Sequence, residues 1–336
     1  MHNSDYLFCF HPFNSLTVSR TGDVYACCAD WLPVPLGNVL RTPLMEIWRG
    51  REATRLRVSV LDQSFRFCRA TCPYLENPRG PVVRGVRPRS PPDFSRVGEL
   101  KLSYDPTCNL RCASCRTGAV GASELTGRIH AEVAREDVLS HVGRLYVATY
   151  GDPVASSYYW SLLRGLSSLS AGSDLTVHLH TNGILLTPQK WAELGGESSR
   201  VRVVTVSVDA ARESTYRLNR GGDWDQLREN LLFLSSLPGV RLQLNFVVQD
   251  NNFGEMVEFM EVASGYSASQ VFFAGLRNWD AVLPSSIRNL HPVFTGLEYQ
   301  ERAVHLPSHP RHGKLLEVLR DPVFRDPRVV LGDFLS

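Results

Sequence analysis

Three cysteines lie close together near residue 110 of this 336-residue chain. Cys108, Cys112 and Cys115 have the spacing C-x3-C-x2-C, within the stretch SYDPTCNLRCASCRTG. Three thiolates are one short of the four ligands that close a structural zinc site. Soft thiolates also bind iron–sulfur clusters, and three of them on an iron–sulfur cube leave one iron with an open coordination position. The spacing alone also fits a partial zinc knuckle or three unrelated structural thiols.

The other five cysteines precede this triplet, at positions 9, 27, 28, 68 and 72. The segment PYLENPRGPVVRGVRPRSPPDFSRVGE separates the two groups, and its prolines and glycines predict a linker rather than a helix or a central strand. The chain shows neither a signal-peptide pattern nor an apolar run long enough to cross a bilayer. We therefore expect a cytoplasmic protein, in which thiols stay reduced and clustered cysteines more often bind metal.

The overall composition is that of an ordinary globular protein without a charge bias. Hydrophobic residues make up 43% and charged residues 21%, and 36 basic residues against 34 acidic ones leave a net charge of +2. No global field therefore attracts the chain to nucleic acid or to a membrane surface, and we expect neither as a partner.

The elements that would position the cysteine triplet begin at residue 99. Six β-rich apolar runs occur at residues 99–104, 144–150, 174–181, 200–209, 239–249 and 269–276, with helical periodicity between them. This alternation predicts right-handed βαβ units and a parallel sheet. The spacing favours an α/β fold with a partial (β/α)6 TIM-type barrel. The triplet follows the first strand, at the carboxyl edge where such folds build active sites.

In that position the triplet resembles the cluster motif of the radical S-adenosylmethionine (SAM) superfamily. After the second strand, Tyr150-Gly151-Asp152-Pro153 resembles the family's Gly-Gly-Glu-Pro segment, although tyrosine and aspartate replace the first glycine and the glutamate. Thr181-Asn182-Gly183 and Ser207-Val208-Asp209 resemble family segments on the third and fourth strands, and RLNRGGDWDQLRENLLFL resembles the segment that follows. The family usually has an aromatic residue where this chain has Ser114.

The resemblance implies a [4Fe–4S] cluster held by Cys108, Cys112 and Cys115, whose unique iron is chelated by the amino and carboxylate groups of SAM. It also implies SAM contacts from Gly151, Asp152, Pro153, Asn182, Ser207 and Asp209. Ser207 and Asp209 share one strand face by the two-residue period, and packing or capping roles remain open for both. His178 and His180 share a face near Asn182, as substrate contacts or as hydrogen-bonded core histidines, and Asn245 and Gln249 allow the same two interpretations. No catalytic side chain is assigned.

The amino-terminal segment resembles the SPASM/Twitch extension, which usually follows the SAM barrel. Gly22-x4-Cys27, then Leu36-Gly37-Asn38 and a helix with EIW, carry this resemblance, and Thr21-Gly22-Asp23 predicts the turn of a β-hairpin. The resemblance implies an auxiliary [4Fe–4S] cluster bound by Cys9, Cys27, Cys68 and Cys72. Cys28 is a spare thiol or an alternative ligand to Cys27. A structural zinc ion on the same four cysteines remains open.

These features predict four segments. Residues 1–75 form a small cysteine-rich α+β SPASM/Twitch-like domain, 76–98 a Pro/Arg-rich linker, 99–278 the radical SAM barrel and 279–336 a carboxyl-terminal extension without a readable signature. With an electron from a reductant such as flavodoxin or ferredoxin, the enzyme would cleave SAM and abstract a hydrogen atom from a small molecule. We expect a sugar, an aminocyclitol or a nucleoside of natural-product (antibiotic) biosynthesis, with dehydrogenation or carbon–carbon bond formation helped by the auxiliary cluster.

Three other functions fit the sequence less well. The chain could be a radical SAM maturase of a ribosomal peptide, although its amino-terminal segment is already occupied by the cysteine pattern. It could be a radical epimerase in which Cys28 donates a hydrogen atom, since no cysteine follows Cys115. A non-catalytic iron–sulfur or zinc scaffold is the third alternative, and reductive cleavage of SAM would exclude it.

Overall fold

The computed structural model describes residues 6–29, 31–70, 72–76, 78, 80–86, 93–116, 121–148, 150–170, 174–278 and 296–332. The chain divides into two compact units. The first comprises Met1–Pro106, Gly121–Gly151 and Ser156–Val177, and the second comprises Thr107–Val120, Asp152–Ala155 and His178–Ser336. Parts of the predicted linker and of the carboxyl-terminal extension (87–92 and 279–295) lie outside the described residues. No described helix is long and apolar enough to span a membrane.

The first unit contains seven complete strands and eight helices within the described residues. The strands are β1 (Leu7–Cys9), β2 (Ser15–Val18), β3 (Asp23–Tyr25), β4 (Gly37–Asn38), β5 (Val82–Arg84), β6 (Val97–Leu102) and β7 (Val142–Val147). The helices are α1 (His11–Asn14), α2 (Leu44–Arg49), α3 (Arg51–Leu61), α4 (Pro73–Glu76), α5 (Glu124–Val133), α6 (Glu136–Leu139), α7 (Ser157–Arg164) and α8 (Leu166–Leu169).

The main sheet of the first unit has the strand order β7-β6-β2-β3-β4. β6 runs parallel to both β7 and β2, whereas β2, β3 and β4 form an antiparallel meander. The predicted hairpin turn is confirmed: Gly22 has a φ of 81°, a conformation that glycine adopts without strain, and its N–H donates to the Ser19 carbonyl at 3.0 Å. β1 pairs separately with β5, which lies inside the segment predicted as a linker.

The second unit contains most of β8 (Thr176–Thr181), followed by β9 (Val201–Ser207), β10 (Arg241–Val248), β11 (Gln270–Gly275) and β12 (Val329–Leu331). Its α-helices are α9 (Pro188–Ala192), α10 (Glu213–Asn219), α11 (Trp224–Ser236), α12 (Met256–Gly265), α13 (Gly296–Arg302) and α14 (His312–Val318). Short 3-10 helices cover Gly195–Arg200, Phe253–Glu255 and Pro322–Arg325.

The sheet of the second unit has the order β12-β11-β10-β9-β8, and the strands from β9 to β12 run parallel. β12 is an edge strand that the sequence did not predict. The described strands therefore form an open, mostly parallel α/β sheet with helices rather than a closed barrel, which confirms the predicted partial-barrel class.

The two faces of this second sheet differ in polarity. Val204, Val206, Leu244, Phe246 and Phe273 lie on one face and are fully buried. The Phe246 ring lies 4.8 Å from the ring of Phe259 on α12, so this face packs on the helices. The neighbouring positions along the same strands point the other way and are largely polar. The hydrophobic core therefore occupies one side of the sheet and leaves the other side for polar chemistry.

Candidate cluster and cofactor site

The cysteine triplet lies on a loop that is held by hydrogen bonds within the second unit. Cys112 is buried, and Cys108 and Cys115 are partly exposed. The Cys115 N–H donates to the Cys112 carbonyl at 2.9 Å, which curls the loop. The Ala113 N–H donates to the carbonyl of Asn219 at 3.1 Å, which ties the loop to the end of α10. Protein hydrogen bonds alone therefore hold the loop that carries the three thiols at the carboxyl edge of the sheet.

The environment of these thiols disfavours a free, unliganded thiolate. Burial raises the pKa of Cys112 to about 11, and the nearby Arg220 cation opposes that rise. Burial also raises the pKa of Cys108. Bound iron replaces the thiol protons, so metal binding offsets this cost of burying thiolates. No three His, Cys, Asp or Glu side chains among the described residues surround a single metal ion. Three soft donors on separate corners of a cube fit a [4Fe–4S] cluster.

Asp152 contacts the start of the cluster loop through its backbone N–H and the end of β8 through its carboxylate. The side chain is fully buried, and Oδ2 accepts hydrogen bonds from Thr181 Oγ1 at 2.7 Å and from the Asn182 N–H at 2.8 Å. Oδ1 accepts from the Val154 N–H at 2.9 Å, while the Asp152 N–H donates to the Thr107 carbonyl at 2.8 Å. Both carboxylate oxygens are thus engaged in hydrogen bonds inside the protein. Pro153 is buried in the same turn.

Gly151 allows the backbone to enter this turn. Its φ of 77° lies in the left-handed region, where a side chain would be strained. The backbone conformation therefore favours glycine at this position of the family motif, whether or not SAM is bound.

Asn182 reaches the loop from the end of β8. Its Nδ2 donates to Asn109 Oδ1 at 2.8 Å and lies 3.7 Å from the sulfur of Cys108, while its Oδ1 accepts from the Ile184 N–H. Hydrogen bonds to ligand sulfurs are one means by which proteins set cluster potentials. Asn182 therefore contacts the predicted cluster ligands.

Asp209 and Arg220 form a buried ion pair at the same edge. Asp209 Oδ2 lies 3.0 Å from Arg220 Nη1, and Asp209 Oδ1 accepts from the Val247 N–H at 2.7 Å. Burial raises the pKa of Asp209, and the Arg220 cation lowers it. Arg220 Nε is buried without a hydrogen-bond partner in the described part of the chain. This N–H is a donor suited to an anion such as the SAM carboxylate. Sequence analysis did not select Arg220, although it lies within the quoted segment RLNRGGDW.

Ser207 and its neighbours are hydrogen-bonded along the polar sheet face. Ser207 Oγ lies 2.9 Å from His180 Nε2, and Thr205 Oγ1 lies 2.8 Å from His178 Nε2. Both histidines thus have partners within the sheet. Gln249 is buried beyond the end of β10, and its Nε2 has no hydrogen-bond partner among the described residues.

Four amino-terminal cysteines line one cavity of the first unit. Cys9, Cys27, Cys68 and Cys72 line a cavity of about 20 Å³, together with mainly apolar side chains such as Trp31 and Phe65. Cys28 is exposed and does not line the cavity. Burial raises the pKa of Cys9 to about 12 and that of Cys68 to about 11. Four converging thiols in an apolar cavity fit the donor set of an auxiliary cluster.

Comparison with known proteins identifies both parts of the chain. Residues 9–73 match the SPASM family, an iron–sulfur cluster-binding domain, and residues 102–263 match the radical SAM superfamily. These matches confirm the predicted cofactors, which are SAM with a [4Fe–4S] cluster and an auxiliary iron–sulfur cluster in the SPASM domain.

Curated relatives and solved structures cover parts of the chain. A GTP 3′,8-cyclase of Geobacter sulfurreducens is 28% identical over 174 residues, which is 49% of this chain and 51% of the relative. An AdoMet-dependent heme synthase of Methanosarcina barkeri is 28% identical over 173 residues, with 49% and 47% covered. The chain spans about half the length of these relatives. The structure of Streptococcus suis SuiB bound to precursor peptide SuiA covers 71% of this chain and 49% of SuiB, at 14% identity and a TM-score of 0.49. The two family matches, at residues 9–73 and 102–263, identify the chain as a member of the radical SAM superfamily with a SPASM domain that precedes the radical SAM domain.

Proposed function

We propose that this enzyme abstracts a hydrogen atom from a carbon of a small-molecule substrate of natural-product biosynthesis, of the sugar, aminocyclitol or nucleoside class. The observation that carries the proposal is the gathering of Cys108, Cys112 and Cys115 beside the buried Arg220, whose Nε–H has no partner among the described residues. When bound, the cluster and SAM supply a 5′-deoxyadenosyl radical by one-electron reductive cleavage.

Each residue around this site has a distinct task in the proposal. The three cysteines hold the cluster, and Asn182 fixes the loop that carries Cys108. Asp152 keeps its backbone in place through its engaged carboxylate, so that Gly151, Asp152 and Pro153 meet the SAM amino group through main-chain atoms. Arg220 donates through Nε to the SAM carboxylate. Ser207 and Asp209 act by positioning His180 and Arg220.

The cysteine inventory supports an oxidative or carbon–carbon bond-forming outcome. No cysteine follows Cys115, so few thiols are left to return a hydrogen atom to a substrate radical. Dehydrogenation removes one hydrogen atom to the deoxyadenosyl carbon, then one proton to solvent and one electron to an acceptor. The auxiliary cluster, held by Cys9, Cys27, Cys68 and Cys72, would supply that one-electron acceptor, which a flavodoxin or a ferredoxin reoxidises.

The test is to replace Cys108, Cys112 and Cys115 together with alanine in the full chain. After anaerobic cluster reconstitution and addition of dithionite and SAM, we expect formation of 5′-deoxyadenosine to fall to background. Cys28→Ala is the matched control and should retain it, since Cys28 lies outside both cysteine groups that line a site. Undiminished 5′-deoxyadenosine in the triple variant would exclude the proposed chemistry.

A second candidate, radical epimerisation, is favoured by the exposure of Cys28. This exposed thiol, which does not line the auxiliary cavity, would be the hydrogen-atom donor of such an epimerase. Turnover in deuterated water distinguishes the two outcomes. One deuterium at an inverted carbon, lost in Cys28→Ala, would establish an epimerase, whereas loss of two hydrogens without deuterium incorporation supports dehydrogenation.

A further inference from the structure

One face of the second sheet carries a continuous row of polar side chains. We call it the polar wall, and it consists of His178 and His180 on β8, Thr205 and Ser207 on β9, and Gln243 and Asn245 on β10. Registry places Thr205 beside Gln243 and Ser207 beside Asn245, so the six side chains form two layers across three adjacent strands. The opposite face of the same strands is largely apolar, with Thr181 and Arg202 as its polar members, and it packs on helices.

The hydrogen bonds within the wall leave defined groups available. Thr205 Oγ1 donates its only proton to Gln243 Oε1 at 3.0 Å. In its contact with His178 the same oxygen is therefore the acceptor, so Nε2 of His178 carries a proton. The two N–H groups of Gln243 Nε2 have no partner in the described part of the chain. The whole amide of Asn245 is likewise without one, although both side chains are partly buried. These amide groups are accessible from outside the sheet, so a ligand that displaces their water can hydrogen-bond to them.

None of the six side chains of the wall is a carboxylate, a lysine or an arginine. Burial and the nearby Arg220 cation lower the pKa of His180 to about 4, so its imidazole is uncharged at neutral pH. On this face of β9 and β10, charged side chains of the described residues lie at the two ends of the wall. Arg241 lies at one end, and Asp209, which is paired with Arg220, lies at the other. A phosphate or an ammonium group bound at Gln243 and Asn245 would lose hydration there, and neither of these two amides supplies an opposite charge.

An aromatic side chain borders the amides. Phe272 on β11 pairs in register with Asn245, so both stand on the same face, and Phe272 is 37% exposed. An exposed aromatic ring beside free amides is the combination that binds a sugar ring or a base, because it offers a flat apolar surface with hydrogen-bond donors and acceptors at its edge.

We infer that the polar wall binds an uncharged, polyhydroxylated part of the substrate, a sugar or nucleoside ring rather than a phosphate or an amine. Gln243 and Asn245 hydrogen-bond its hydroxyl or carbonyl groups, and Phe272 packs against the ring. The inference rests on the proposed function, because it places this ring on the sheet face at the same edge as the cluster loop. It restricts the substrate class to molecules in which the part bound by the wall is uncharged.

The experiment compares uncharged ligands with their phosphates on the full, reconstituted chain with SAM present. Uridine is paired with uridine 5′-monophosphate, and methyl β-D-glucopyranoside with glucose 6-phosphate, and dissociation constants are measured by saturation-transfer NMR titration. We expect at least one uncharged member to bind about tenfold or more tightly than its phosphate. Asn245→Leu and Gln243→Leu should each weaken that binding about tenfold, the usual consequence of losing one buried hydrogen bond to a ligand.

Gln226→Leu is the matched control, since it removes an amide from α11, which lies away from the wall in the sequence and bonds Asn230. It should leave the dissociation constant within about twofold. Tighter binding of the phosphates, binding of neither uncharged ligand, or unchanged affinity in Asn245→Leu would each overturn the inference. Preference for a short uncharged peptide over both rings would overturn it as well.

The same samples separate this inference from the proposed function. SAM cleavage under dithionite is measured without added ligand in each variant. If 5′-deoxyadenosine forms normally but uncharged ligands are not preferred, only the inference about the wall is contradicted. Selective binding, lost in Asn245→Leu, with no SAM cleavage by the unmodified chain removes the proposed function and leaves the wall as a binding site.

Discussion

Arg220 joins three parts of the candidate site through one buried cation. It pairs with Asp209, lowers the pKa of Cys112 relative to burial alone, and has a buried Nε–H without a partner in the described chain. Nothing local distinguishes Arg220 from the exposed Arg217 one turn earlier, which pairs with Glu213. Its role follows from contacts with segments distant in sequence, which is why the pattern of the chain alone did not reveal it.

Replacing Arg220 with lysine tests this role. The ammonium keeps a positive charge beside Asp209, so the fold should survive, but it loses the planar donor fork of arginine. We expect the dissociation constant for SAM to rise about tenfold, because charge-assisted hydrogen bonds are worth more than neutral ones. Isothermal titration of the reconstituted chain measures it. Arg217→Lys on the same helix should bind SAM normally, and equal affinity in both variants would contradict the assignment.

His180 should make folding stability depend on pH. Its pKa is lowered to about 4 by burial, whereas an unfolded histidine titrates near 6.5. Between those values the unfolded chain binds a proton that the folded chain does not, so stability is lost as the pH falls. From pH 7 to pH 5 the loss from this one group is about 2 kcal/mol.

The corresponding measurement is urea unfolding at those two pH values. His180→Gln cannot take up the proton and should remove about 2 kcal/mol of the difference between them. His141→Gln, a partly exposed histidine after α6, should leave the difference unchanged. An unaltered pH dependence in His180→Gln would show that the imidazole is not held neutral by the fold.

At the scale of elements, α10 is positioned by a residue that is distant in sequence. Its N-cap, Arg212, makes no side-chain cap. Instead, Glu255 Oε2 accepts hydrogen bonds from the N–H groups of Ala211 at 2.8 Å and Arg212 at 3.2 Å, and Glu255 Oε1 accepts from Thr215. A carboxylate at a helix amino terminus is favoured by the free N–H groups there. Glu255 thereby fixes the helix whose end carries Asn219 and leads into Arg220.

Replacing Glu255 with alanine should therefore affect both stability and cofactor binding. Three donors lose their acceptor in a buried place, and we expect the free energy of unfolding to fall by about 2–3 kcal/mol. SAM affinity should fall as well, because α10 no longer holds Arg220. Urea unfolding and SAM titration provide the two measurements. Glu258→Ala removes an exposed ion pair with Arg212 and should cost less than about 1 kcal/mol. Similar costs for both variants would show that Glu255 does not anchor the helix.

The local alternation of strand-forming apolar runs with helical periodicity was sufficient to predict most strands of the radical SAM domain. The runs at 239–249 and 269–276 correspond to β10 and β11, where buried and more exposed positions alternate as the two-residue period requires. The short β5 and β12 were not predicted, because three residues carry too little pattern. Their formation depends on pairing with β1 and β11, which are remote in the chain. Among the site residues, cysteine spacing selected the thiols, whereas the engaged carboxylate of Asp152 became apparent only from tertiary contacts.

At the scale of the whole molecule, the two cysteine groups should bind metal independently. Cys9, Cys27, Cys68 and Cys72 line a cavity built within the first unit, whereas Cys108, Cys112 and Cys115 belong to the second. Replacing Cys68 and Cys72 with alanine should lower iron by about four atoms per chain, the content of one cubane. SAM cleavage without substrate should survive at least in part.

Iron and zinc are measured together on anaerobically prepared protein. The Cys28→Ala control should keep the full iron content, since Cys28 does not line the cavity. Unchanged iron with a loss of zinc in the double variant would assign the cavity to a structural zinc ion. Loss of all iron would mean that the two sites do not form independently.

The pairing of β2 with β6 has a consequence for how the protein is made. Ser15–Val18 lies beside Glu99–Leu102 in a parallel ladder, so the amino-terminal hairpin meets its neighbouring strand only after the ribosome has added the intervening segment. At synthesis rates of about 5–20 residues per second, β2 waits for several seconds with an unpaired edge, which is a template for association with other chains. A fragment that ends before Val97 keeps that edge permanently. Expression of the SPASM segment by itself should therefore yield associated species in light scattering, while the full chain completes the ladder during its own synthesis.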